Sequence, residues 1–183
     1  AVASQSNTRF PVSIYYAFKQ SETKESTGTS STGWETFLEA TLNAGLSISG
    51  TWPIRTEREG RTRGIESNAL ATSMVLVCQR RDPNAAILSR NAFRRELRQR
   101  LPLAIRELER ANIAPVDVAQ AAIGPGMAIF SQAKAVLNPD DSRMSVREAL
   151  IEINDALDEY LSHEEGSFDA DSRFALKIGR AHV

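Results

Sequence analysis

The chain has 183 residues, 42% of them hydrophobic and 25% charged, with a formal net charge of -1; this is the balance of a soluble globular protein of one domain plus an appendage. No apolar run reaches the roughly 18–20 residues needed to span a bilayer and no basic-then-apolar leader opens the sequence, so no membrane partner is expected and the default location is the cytoplasm. The single cysteine, Cys78, excludes an internal disulfide or a multi-cysteine zinc site. With only His163 and His182 near the C-terminus, histidine catalysis and metal binding are not expected either.

The near-zero net charge conceals an asymmetry. Arginine recurs from Arg55 to Arg110, whereas acids dominate from Asp117 to Asp171. A basic middle followed by an acidic end suits one face for a polyanion and another for solvent, or simply a pair of solvated helix faces.

Residues 1–8 are polar and read as a frayed start; the first residue is Ala and not Met, which suggests that the start is not a natural one. Val12–Phe18 is aromatic and β-branched, as strands prefer, with Pro11 at its head. A loop rich in Ser, Thr, Glu and Gly follows through Gly33 and is expected on the surface. Trp34, Phe37, Leu38 and Leu42 recur at helical spacing, so a helix is expected over 34–44, stopped by Gly45. Leu46–Trp52 alternates as a strand, ended by Pro53. An Arg- and Gly-rich loop leads to a second strand at Ala69–Cys78, apolar enough to be covered on both faces, where Cys78 reads as a buried, inert thiol.

The helical crossover implies that the strands at 12–18 and 46–52 are parallel. The non-helical connection from 53 to 68 implies an antiparallel last strand. Asp82-Pro83-Asn84 is a turn and a domain boundary. Beyond it Ser89 caps a helix over 90–110 with Phe93, Leu97, Leu101, Ile105 and Leu108 in one stripe, kinked or divided at Pro102. Pro115 opens a short helix broken by Gly124-Pro125-Gly126, and Met127–Leu137 forms another. Ser145 caps a last helix with Glu148 in a capping box, its stripe running through Val146, Leu150, Ile153, Leu157, Tyr160 and Leu161. The final residues, 177–183, read as the translation of a sequencing-adapter scar, or else as a short native disordered tail. The expected divisions are 1–82, 83–174 and a tail from 175 to 183.

In an open α/β sheet ligands bind beyond the carboxyl ends of parallel strands. That rule gathers Lys19, Gln20, Arg55, Thr56, Glu57, Arg61, Arg63 and Asn68 on one rim, where the arginines and lysine suit phosphate contacts. Trp52 can stack on a base or a cofactor ring, although a strand-end tryptophan is more often core, and Glu57 can simply pair with a neighbouring arginine. Gly124-Pro125-Gly126 follows a helical pattern instead of a strand and is not a phosphate loop.

Five stretches carry a family resemblance: Tyr15–Glu22 (YYAFKQSE), Gly33–Thr36 (GWET), Thr51–Glu57 (TWPIRTE), Asn68–Ala71 (NALA) and Asn112–Met127 (NIAPVDVAQAAIGPGM). Together they resemble the C-terminal part of the large prokaryotic adenine-specific DNA methylases, which carry an N-terminal domain of unknown function and a zinc-ribbon and of which some are associated with phage defence. The resemblance covers about residues 10–174 and is most specific at Asn112–Met127. It implies an α/β fold: the last strands of a Rossmann-like class I methyltransferase sheet (strand, helix, strand, antiparallel strand) followed by an α-helical C-terminal region.

The resemblance further implies an S-adenosylmethionine-dependent methyltransferase acting on adenine N6 in DNA. Lys19, Gln20, Trp52 and Asn68 would then lie near the cofactor or the base, and Arg55, Thr56, Glu57, Arg61 and Arg63 near the DNA. Such chemistry requires a glycine-rich cofactor loop and an Asp/Asn-Pro-Pro-aromatic motif that holds a flipped-out base. Neither is present, nor are the zinc-ribbon cysteines; in the family they lie upstream. The expectation is a fragment whose catalytic residues and S-adenosylmethionine site belong to the missing N-terminal part, with DNA as partner and no metal of its own. The alternative is a non-catalytic nucleic-acid-binding or protein-interaction module.

Overall fold

The computed structural model describes residues 2–17, 32–55, 72–110 and 115–166. Its elements, in order, are α1 (Val2–Gln5), β1 (Val12–Ala17), α2 (Thr32–Asn43), β2 (Leu46–Arg55), β3 (Thr72–Arg80), β4 (Ile87–Ser89), α3 (Arg90–Arg110), α4 (Pro115–Gln132), β5 (Ala135–Leu137) and α5 (Val146–Gly166). The fold is mixed α/β, with an antiparallel three-stranded sheet, a short parallel pair and helices. The polar start is not wholly frayed. It forms α1, and Ala3 is buried against Gly45.

In the sheet β3 lies between β1 and β2 and runs antiparallel to both. The two outer strands therefore point the same way, as the helical crossover requires, but they do not pair with each other. Gly45 closes α2 with φ of +85°, a left-handed conformation that glycine adopts without steric cost.

Cross-strand partners project to the same face of a sheet. One face carries Val12, Ile14, Tyr16, Met74, Leu76, Cys78 and Ile48, all in or against the main core with Trp34, Leu38 and Leu42 of α2. Tyr16 stacks on Phe37 with ring centroids 4.5 Å apart. Phe93, Leu97, Met127, Phe130, Val146, Leu150 and Ile153 of α3, α4 and α5 join that same cluster, so residues beyond the 82–84 turn share their core with the sheet. The turn itself forms as expected, with Asn84 N–H donating to Asp82 Oδ1 at 2.8 Å.

Several expectations need correction. Among the described residues helices cover β3 on one face; Val75 and Val77 project to the other, where Val75 is nevertheless buried. β2 does not end at Pro53 but runs on to Arg55. It is an edge strand, and the alternation from Thr51, whose backbone nitrogen faces α4, puts the proline nitrogen on the unpaired outer side, where no ladder donor is lost. A bulge between Ile48 and Gly50 also breaks its alternation, so Ile48 and Thr51, three apart, are both buried. Pro102 does not divide α3, which is one helix with the expected five-residue buried stripe.

The largest correction concerns Gly124-Pro125-Gly126, which does not break a helix: α4 runs through it. A Cβ at Gly124 would collide with the backbone nitrogen and hydroxyl of Thr51, and one at Gly126 would lie 2.6–2.8 Å from Ile153 of α5. The glycines are there for close approach. Pro125 lacks the N–H that would bond the Ala121 carbonyl, and Thr51 Oγ1 donates to that carbonyl instead, at 3.1 Å. Further along, Ser131 Oγ accepts from Ile48 N–H at 2.8 Å and donates to Ile48 O at 3.2 Å. α4 thus covers the outer edge of β2. The helix expected over 127–137 stops at Gln132 because Ala135–Leu137 pairs in parallel with Ile87–Ser89. The two predicted caps form: Ser89 Oγ accepts from Ala92 N–H at 3.2 Å, and Ser145 and Glu148 exchange bonds at 3.2 and 2.7 Å.

This arrangement reverses the usual effect of a helical glycine. In an open helix Gly→Ala stabilises by up to about 1 kcal/mol; Gly124→Ala should instead cost about 1–3 kcal/mol by overpacking. Thr51→Val should cost about 1–3 kcal/mol by leaving the Ala121 carbonyl unsatisfied. In a Pro125→Ala background, where alanine restores the helical donor, the Thr51→Val penalty should shrink by about 1 kcal/mol in denaturant unfolding. Strict additivity would reject the link between Thr51 and Pro125.

Candidate functional site

The sheet has two ends. At one, the carboxyl ends of β1 and β2 meet the start of β3, with Ala17 opposite Ser73 and Arg55 opposite Thr72. The expected rim belongs here, and the topology does deliver three strand termini to a single edge. Lys19, Gln20, Thr56, Glu57, Arg61, Arg63 and Asn68 lie outside the described residues. Arg55 is placed by its backbone as the last residue of β2.

Trp52 is not core. It is 48% exposed and faces the side of the sheet away from the main core, opposite Val75, which in turn is opposite Tyr15 of β1, 74% exposed. Strands lie about 4.8 Å apart, so the two aromatic residues flank Val75 on a row about 10 Å long. Val75 is buried without belonging to the main core. Ile54 is on the same face by the two-residue period of the strand. Aromatic and aliphatic groups in such a row can stack planar rings or seat an apolar element. Tyr15 was legible in the sequence as a strand residue, but nothing local marks which face of a strand stays uncovered.

The basic helix α3 is less available to a polyanion than its composition suggests. Arg90 Nε donates to Glu152 at 2.7 Å, Arg94 grips both oxygens of the same carboxylate, Arg98 pairs with Glu159 at 3.0 Å and Arg100 with Glu96 at 3.8 Å. Glu152 is 3% exposed. Its burial by itself would raise the carboxyl pKa, but the guanidinium hydrogen bonds of Arg94 and Arg90 outweigh that and hold it below the ordinary range. The pair of arginines ties α3 to α5 across this carboxylate. Cys78, fully buried on the core face, has its thiol pushed up to about 11 by burial and is no nucleophile. Among the described residues no group of three or more His, Cys, Asp or Glu side chains is placed to hold a metal, and no helix is long and apolar enough to cross a membrane.

A carboxyl with a lowered folded-state pKa contributes stability that is fully present above its unfolded value and is lost as pH falls through the folded one. Stability should therefore decline as pH drops below the ordinary 4.5 of the Glu152 carboxyl. Glu152→Gln should flatten that part of the acid-unfolding profile and cost about 1–3 kcal/mol at neutral pH. An unchanged profile would remove Glu152 from the account of acid stability. No family model matches the chain, and neither a curated protein nor a solved structure matches it.

Proposed function

We propose that this chain is the closing part of a Rossmann-like methyltransferase sheet in an S-adenosylmethionine-dependent DNA adenine-N6 methyltransferase. On this reading it contributes one rim of the cofactor and DNA cleft. The observation that carries the reading is the inequality of the two sheet edges. The outer edge of β2 is sealed by Ser131, Thr51 and the close approach of Gly124. No described strand pairs with the outer edge of β1, and an open edge is where further strands add. Growth on the β1 side alone is what the end of a larger sheet requires. The strand-helix-strand unit followed by an antiparallel strand, and the stretches of family resemblance, agree with it.

The catalytic groups and the S-adenosylmethionine site then belong to upstream sequence, and Lys19, Gln20, Trp52 and Asn68 border them. Arg55, Thr56, Glu57, Arg61 and Arg63 face DNA. The first test is the upstream reading frame, which must encode a glycine-rich cofactor loop and a Pro-Pro-aromatic motif; if neither is there, the assignment is lost. In the full-length protein Arg55→Ala and Arg63→Ala should each weaken DNA binding and reduce the slope of log affinity against log salt by about one. Equal slopes would reject the rim.

A second reading, a binding module without catalysis, draws on the open Tyr15–Val75–Trp52 row. It requires that the 183-residue chain bind single-stranded DNA without cofactor, quenching Trp52 fluorescence. Replacing Tyr15 and Trp52 by alanine should then weaken binding by about 1–3 kcal/mol per lost stack while leaving the melting temperature nearly unchanged. Absence of binding by the parent chain would dismiss this reading without touching the first.

A further inference from the structure

The opposite end of the sheet, roughly 27 Å away along β3 at about 3.4 Å per residue, holds a recess of about 490 Å³ whose lining includes Arg80, Arg81, Asp82 and Lys134. Three cations line it against one acid. The Asp82 carboxylate already accepts the Asn84 N–H. Elsewhere Arg90, Arg94, Arg98, Arg100 and Arg147 each find a glutamate. Among the described residues no carboxylate pairs with Arg80, Arg81 or Lys134. A recess lined by more cations than carboxylates raises the local concentration of anions and favours one as its occupant.

We propose that this recess binds a ligand through a terminal phosphate group, held by Arg80, Arg81 and Lys134.

Arg81 is anchored at the recess. Its Nη2 donates to the Ala133 carbonyl and, at 3.1 Å, to that of Lys134, which fixes the guanidinium at the end of α4. Its Nε is buried and has no hydrogen-bond partner among the described residues. Burial and the nearby Arg143 both lower its pKa, the electrostatic mark of a desolvated cation lacking an anion. A guanidinium already held in place loses little freedom on meeting a phosphate. Arg80 and Lys134 are exposed and can close on the ligand. The small residues Ala3, Ala44 and Gly45 leave the volume open, and its size falls in the ordinary small-ligand range of about 300–1,000 Å³. A recess takes the end of a phosphate chain more readily than the middle of a duplex backbone. Two sources share that chemistry: a free phosphorylated small molecule and the 5′-phosphate end of a nucleic-acid strand.

The proposal stands apart from the methyltransferase reading, since the recess and the carboxyl rim are at opposite ends of the sheet. The 183-residue chain is titrated by calorimetry with inorganic pyrophosphate, with a 5′-phosphorylated single-stranded oligonucleotide, and with the same oligonucleotide bearing a 5′-hydroxyl. Binding of pyrophosphate is expected, and Arg80→Gln/Lys134→Gln should weaken it roughly tenfold or more, the loss of at least one charge-assisted bond. Arg98→Ala, on the far helix pair, should leave it unchanged. Both substituted side chains of the double variant are exposed, so its melting temperature without ligand should match that of the parent. If that variant fails to fold, Lys134→Gln alone must show the weakening. A 5′-phosphate dependence of oligonucleotide binding that is lost in the same variant identifies strand ends as the source; pyrophosphate binding alone identifies a small molecule. No binding of pyrophosphate or of the phosphorylated strand, or equal affinity in the parent and the variant, overturns the site. Neither outcome bears on Arg55 and Arg63, so failure here is separate from failure of the methyltransferase reading.

Discussion

The contact on which the structure depends is the laying of α4 along the edge of β2. Gly124 meets Thr51 and Ser131 meets Ile48. Seven helical residues at 1.5 Å each span about 10 Å, and three strand residues at about 3.3 Å span the same distance. The two contacts are thus in register, with helix and strand antiparallel. The bulge makes this possible by turning Ile48 and Thr51 to the same side. Thr51 then meets a helix that Pro125 has deprived of one donor, and its hydroxyl replaces what the proline removed. On its far side the same helix turn presses Gly126 on Ile153 of α5. One helical turn therefore joins the sheet to the last helix.

This contact gives the sheet a direction. With the outer edge of β2 sealed, no described strand pairs with the outer edge of β1, and α2, α3, α4 and α5 contribute to one core against the same face. On the other face Tyr15 and Trp52 are exposed on either side of the buried Val75. A surface of this kind is the ordinary appearance of a sheet awaiting either more strands or a partner, and both functional readings start from it. Gly124-Pro125-Gly126, which lies within the most specific stretch of the family resemblance (Asn112–Met127), serves here as packing and not as a phosphate loop.

Charge is arranged with the same economy. Arg90, Arg94 and Arg98 of α3 pair with Glu152 and Glu159 of α5, so part of the basic middle is neutralised by the acidic end across the α3–α5 contact. Glu152, nearly inaccessible, is satisfied by two guanidinium groups; a buried carboxylate with fewer partners would be costly. The cations at the amino end of the sheet differ: Arg80, Arg81 and Lys134 line a recess and have no such carboxylate partners among the described residues.

Much was legible in the chain itself. Hydrophobic spacing located α2, α3 and α5, since a stripe at three and four residues is visible in any helix with one buried face, and the Ser89 and Ser145 caps follow from side chains that bond only to their own neighbours. The stop at Gly45 and the common direction of β1 and β2 are likewise local or topological consequences. What the chain could not reveal alone are the features made by residues far apart: β3 inserting between β1 and β2, Thr51 repairing the helix at Pro125, Glu152 drawing in Arg90 and Arg94, and Arg80, Arg81 and Lys134 lining one recess. Glycine and proline break a helix when considered locally. Only the tertiary structure, by bringing a strand hydroxyl to the orphan carbonyl and a neighbour too close for a side chain, turned Gly124-Pro125-Gly126 from a break into the joint of the fold.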